Sequence, residues 1–134
     1  MVTETVVKES LSKEMVDSGE FVTRLLDANN LAVAASFWFF LPDSNVWRLI
    51  IASPVVDSTG IRAAYERVQQ ILSTSNGASI DLHLKDITLV SPTDGLISLL
   101  RTAITTGKEL SSLRFTGNLI NGVLIEDAYI YRLI

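Results

Sequence analysis

Three groups of residues carry side chains that could do chemistry. The first lies near the C-terminus, in LRFTGNLINGVLIEDAYIYRLI, where Glu126, Asp127 and Tyr129 follow an Asn121-Gly122 pair. Asn-Gly between apolar runs signals a hairpin, because a type I′ turn needs positive φ at both central residues. With those two as the loop, Ile120 faces Val123, Asn118 faces Ile125, Thr116 faces Asp127 and Arg114 faces Tyr129. Alternation then puts Arg114, Thr116, Asn118, Asp127, Tyr129 and Tyr131 on one face. Glu126 shares the other with Leu124, Ala128, Ile130 and Arg132. A carboxylate on an apolar stripe either has its pKa raised, which suits a general acid or base, or takes a cationic partner. A structural pair with Arg132, or a bulge that turns Glu126 outward, is the plainer expectation. His83 completes the catalytic candidates. It alternates with Asp81 and Lys85, and no GxSxG elbow accompanies it, so an exposed loop histidine is expected.

The second group sits at two similar junctions, IIASPVVDSTGI and TLVSPTDGL. Each reads as a strand end, Ser-Pro, an acid and a glycine, then an amphipathic helix. Ser53, Asp57, Ser58, Ser91, Thr93 and Asp94 are its polar members. In parallel sheets ligands gather beyond the carboxyl ends of strands, near free helix N–H groups, so these residues are candidates for holding an anion or nucleotide. Asp57 and Asp94 would repel an anion, and no GxGxxG or GxxxxGK[ST] motif is present. Helix capping explains the same residues, with Asp57 or Ser58 opening one helix and Ser91 the next. The third group is aromatic: Phe37, Trp38, Phe39, Phe40 and Trp47. Alternation sends Phe37 and Phe39 to one face and Trp38 and Phe40 to the other. One set needs a cover besides the main core, and Trp38, Phe40 and Trp47 are candidates for an interface.

Composition narrows the chemistry. The 134 residues include no cysteine and one histidine. Disulfides, thiolate catalysis, cysteine metal sites and multi-histidine sites within one chain are thereby removed. No cofactor or metal is implied. The net charge is −4, the pI is near 4.9 and no Lys/Arg run occurs, which speaks against nucleic acid as a partner. The longest apolar run, Leu31 to Leu41, is interrupted by Ser36 and falls short of the roughly 18 to 20 residues of a membrane span. The polar start shows no secretory pattern, so a cytoplasmic protein is expected.

The elements that must position these groups follow from periodicity. The apolar runs LAVAASFWFF and WRLIIASP flank a Pro-Asp-Ser-Asn turn and read as a hairpin at the centre of a sheet covered on both faces. Val7, Leu11, Met15, Val22, Leu25 and Leu26 form a helical stripe ahead of it, expected as one helix through Gly19 that ends at Asn29 and Asn30. Ile61, Ala64, Tyr65, Val68, Ile71 and Leu72 form a second, stopping near Ser73. A strand starting at Asp86 follows, then a helix carrying Leu96, Ile97, Leu99, Leu100, Ala103 and Ile104 and closed by Gly107, then the C-terminal hairpin. The fold class is therefore α+β: one domain over 1–134, with a mixed five-stranded sheet in the order α-β-β-α-β-α-β-β. If both Ser-Pro junctions lead into right-handed crossovers, strands two, three and four run parallel.

Hydrophobic residues make up 48% of the chain and mean hydropathy is +0.34, high for a chain this short. Homo-oligomerisation, as a dimer, is the expected place for surplus apolar surface. The leading expectation is a small interaction or assembly module that self-associates. A small-ligand domain using the Ser-Pro junctions and a hydrolase-type enzyme using the C-terminal hairpin are the alternatives.

Overall fold

The computed structural model describes residues 7–74 and 84–134. Its sheet has the strand order β3-β2-β1-β5-β4. The aromatic strand β1 (Ala35–Leu41) holds the middle place and pairs antiparallel with β2 (Val46–Ala52), as the two apolar runs require. β3 (Ile87–Val90) lies parallel to β2, at the near edge. β5 (Val123–Leu133) lies antiparallel to β1 on the other side, and β4 (Leu113–Ile120) closes the far edge beside β5. The four hairpin partners read from Asn121-Gly122 are all present, and those two residues have φ of 48° and 80°.

Both faces of β1 are covered, which is why it shows no clean alternation in sequence. Trp38 and Phe40 pack with Leu49, Ile51, Ile87 and Leu89 under α1 (Lys13–Ala28) and α3 (Ile61–Ser73). Phe37 packs with Ile50, Ala52 and Ile130 on the opposite face, where α4 (Gly95–Arg101) contributes Ile97 and Leu100. The result is a helix layer on each side of a mixed α+β sheet. Among the described residues, no helix is long and apolar enough to cross a membrane.

Strand four departs from the expected direction. β2 and β3 are parallel, but the chain after α4 reaches the far edge, and among the described residues β4 pairs with β5 alone. Each hairpin reverses direction, so β4 runs with β1 and against β2 and β3. Helix ends differ as well. α1 begins only at Lys13, because the Ser12 side chain caps it by accepting from Met15 N at 3.1 Å. Val7 and Leu11 therefore lie outside the helix, while Gly19 is inside it as expected. The second helix is two: α2 (Val55–Thr59) and α3 are separated by Gly60, whose φ of 88° breaks the helix. The cap of α4 is Asp94, accepting from Leu96 N at 3.0 Å, so Ser91 and Pro92 belong to the preceding turn. That helix stops at Arg101, well before Gly107.

Candidate functional site: the Asp127 cluster and the open sheet edge

Asp127 stands in β5 opposite Thr116 of β4, and its side chain is 3% exposed. Arg114, one pair further along β4, reaches it with both arms: Nε donates to Oδ1 at 2.6 Å and Nη2 to Oδ2 at 2.7 Å. Lys8 Nζ donates to Oδ2 at 2.7 Å. Burial on its own would raise the Asp127 pKa. The hydrogen bonds from Arg114 and Lys8 together outweigh it and hold the carboxyl below the usual carboxylate range. Hydrogen bonding to Asp127 in turn holds Arg114 above the ordinary arginine value. Asp127 is thus an ionised, fully engaged anchor.

Aromatic rings complete the cluster. The Lys8 ammonium lies 4.7 Å from the Phe40 ring centre and 5.7 Å from that of Trp47, and Arg114 lies 5.5 Å from Trp47. Cations over ring faces are attracted by the ring quadrupole. The chain on either side of Lys8 is held by its backbone: Asn45 Nδ2 donates to Val7 O at 3.0 Å, Glu9 N donates to Asn45 Oδ1 at 2.8 Å, and Trp47 Nε1 donates to Glu9 O at 2.9 Å. A cleft of about 420 Å³ adjoins this contact, bounded by Glu9, Ser10, Asn45, Trp47, Arg48 and Asp86.

The other candidates are dispersed. Glu126 is half-buried and makes no pair with Arg132. Ser36 pairs with Arg132 and Phe37 with Ile130, leaving Tyr131 as the extra residue of a β-bulge. The bulge turns Arg132 to the α1 side, where Nη1 and Nη2 meet Asp27 Oδ1 and Oδ2 at 2.8 and 2.9 Å. Arg132 also donates to the carbonyls of Lys108 and Val33. Tyr131 Oη reaches Val16 O at 2.5 Å, and its burial raises its pKa. Tyr129 stands edge-on to Tyr131 at 5.3 Å. His83 lies outside the described residues.

At the junctions, the structure joins Asp57, Ser91 and Thr93: Ser91 Oγ donates to Asp57 Oδ2 at 2.9 Å and lies 2.9 Å from Thr93 Oγ1. Ser53 is buried and donates to the carbonyl of Leu31, while accepting from Val55 N. Ser58 bonds back to Val55 O, and Asp94 caps α4. Neither Asp57 nor Ser58 opens a helix. Trp38, Phe40 and Trp47 are interior, packed with residues of α1 and the segment before it.

Lys8, Glu9 and Asn45 are site residues that the sequence reading passed over. Lys8 sits within an apparent helical stripe, and α1 starts only after the Ser12 cap, which leaves Lys8 outside it. Asn45 carried a weak signal, as the last polar residue of the turn before an aromatic strand; its φ is 54°.

The sheet ends at β3 on one side and at β4 on the other. β4 is exposed along most of its length, and among the described residues its outer side has no strand beside it. Large apolar side chains gather at this hairpin: Leu119 is 71% exposed and Leu124 59%, with Leu113 and Val123 also open to solvent. The chain thus defines a mixed α+β protein with a lysine-holding contact on one sheet face and an open, apolar-tipped edge. No family model, no curated protein and no solved structure matches it.

Proposed function

We propose that this protein is a self-associating interaction module and that β4 is where two copies meet. The observation that carries this reading is the open β4 edge together with Leu113, Leu119, Val123 and Leu124 at the same hairpin. An unpaired strand presents a row of free N–H and C=O groups to any chain that can pair with it. Antiparallel pairing of a strand with its own copy satisfies a two-fold axis, the commonest oligomer symmetry. The exposed leucines supply the apolar area that strand pairing alone lacks. β4 has no proline or lysine; its edge is interrupted at Gly117, whose φ is 60°, and its one charge, Arg114, is drawn to Asp127.

The test is solution mass by light scattering on the native chain and on a Leu119→Lys/Leu124→Lys variant. Both positions are exposed, so the variant keeps the native fold to within about 0.5 kcal/mol per site. The native protein has twice the 14.7 kDa chain mass and the variant has the single-chain mass. Equal masses for the two would remove β4 as the interface.

A further inference from the structure

The contact around Lys8 has the form of a peptide-recognition site already holding a ligand. Residues 7–10 form neither helix nor strand, and the hydrogen bonds to Val7 and Glu9 are all made by their backbone. Asn45 uses its amide as a neighbouring strand would, donating to the carbonyl before the lysine and accepting from the N–H after it. Trp47 donates to the next carbonyl. Backbone hydrogen bonds of this sort accept any sequence, and selectivity then comes from pockets for particular side chains. Here one side chain is read. Lys8, its side chain 39% exposed, lies over the adjoining Phe40 and Trp47 rings and reaches Asp127, while Val7 is 78% exposed and Glu9 and Ser10 are open to solvent.

We infer that Asn45, Trp47, Phe40 and Asp127 form a binding site for an extended, lysine-bearing segment of a partner protein, and that residues 7–10 occupy it in cis. The chain's own segment is the template for that partner: backbone, lysine, backbone, with the flanking side chains unread. The ammonium is recognised by geometry: Asp127 Oδ2, already shared with Arg114, accepts from it, and the faces of Phe40 and Trp47 lie beneath it. The adjoining cleft beside Ser10 and Arg48 gives room for a longer segment to continue. A tethered occupant acts at high effective concentration, of order mM for a short link, so a partner engages only when it outcompetes the chain's own segment or that segment is released. Arg114 of β4 borders this site through Asp127 and Trp47, and the peptide response tests the site whether or not the chain self-associates.

The two tryptophans make the test direct. Each indole N–H gives one resonance in a ¹⁵N-labelled full-length chain: Trp47 reports the site, while Trp38, bonded to Met15 O, reports the fold. In a Lys8→Ala variant the Trp47 resonance moves and that of Trp38 stays. Adding the heptapeptide of residues 5–11, TVVKESL, at mM concentrations returns the Trp47 resonance saturably toward its native position. The same peptide with norleucine for lysine does not, and neither peptide moves it in the native protein, whose site is filled. Adding Asn45→Gly to Lys8→Ala removes the response; glycine keeps the positive φ at that position while deleting both side-chain bonds. No peptide response in a Lys8→Ala chain that retains the Trp38 resonance would overturn the inference, as would equal responses to the lysine and norleucine peptides. A native dimer that falls to single-chain mass on Lys8→Ala would show that the segment is exchanged between copies, and would overturn the cis arrangement.

Discussion

Gly19 shows how one residue type can be forced by neighbours far away in sequence. In a helix interior glycine costs roughly 1 kcal/mol relative to alanine. Here a Cβ would fall 2.6 Å from Trp38 Nε1 and closer still to Tyr131 Oη. Both aromatics cross α1 at this point to bond the carbonyls of Met15 and Val16. Gly19→Ala therefore lowers stability by about 1–3 kcal/mol despite the better helix propensity, as overpacking outweighs it; chemical denaturation measures the loss. Periodicity exposed the glycine and could not supply its reason, which lies in β1 and β5. Titration gives two further outcomes. Burial raises the Tyr131 pKa above the ordinary value of 10, so its stabilising effect is complete below about pH 10 and is lost as pH rises through the folded value. The denaturation midpoint should fall more steeply above pH 10 in the native chain than in Tyr131→Phe. Asp127 works in the opposite direction: its lowered pKa stabilises the fold above about pH 4, and that contribution disappears as pH falls through the folded value. Asp127→Asn should flatten this acid limb. Its cost at neutral pH should be about 1–2 kcal/mol, kept small because Arg114 and Lys8 are both partly open to solvent.

Among elements, the C-terminal hairpin was the most legible, since Asn121-Gly122 admits one tight turn and thereby fixes the partners of Arg114, Thr116 and Asn118. Gly122→Ala, at φ of 80°, should cost about 1–2 kcal/mol by thermal or chemical unfolding while leaving the register intact. The bulge at Tyr131 was not legible, because one inserted residue leaves no mark on a run that is aromatic and apolar throughout. It is nevertheless what separates Arg132 from Glu126 and joins it to Asp27, and it undid the expected face assignment. The break at Gly60 was not legible either, because Asp57 and Ser58 read as caps that start the helix before Gly60, whereas α3 starts after it. Capping was legible in kind and misplaced in position: Ser-Pro-Thr-Asp holds two good caps, and Asp94 rather than Ser91 takes the role.

For the whole molecule, composition and the aromatic hairpin were enough to place β1 at the centre of a mixed sheet covered on both faces. They did not determine where the last hairpin would dock. Placing β5 beside β1 sends β4 to the far edge, its outer side without a neighbouring strand among the described residues, and this arrangement carries the proposal of self-association. Trp38, Phe40 and Trp47 are internal, and the exposed large apolar side chains include Leu113, Leu119, Val123 and Leu124 of the last hairpin. The most direct measurement is amide hydrogen exchange along β4 in the native protein at micromolar and at near-millimolar concentration. Pairing between copies predicts that outward amides of residues 113–120 exchange slowly when concentrated and quickly when dilute, with β1 and β2 protected throughout. Outward β4 amides that exchange quickly at every concentration would contradict it.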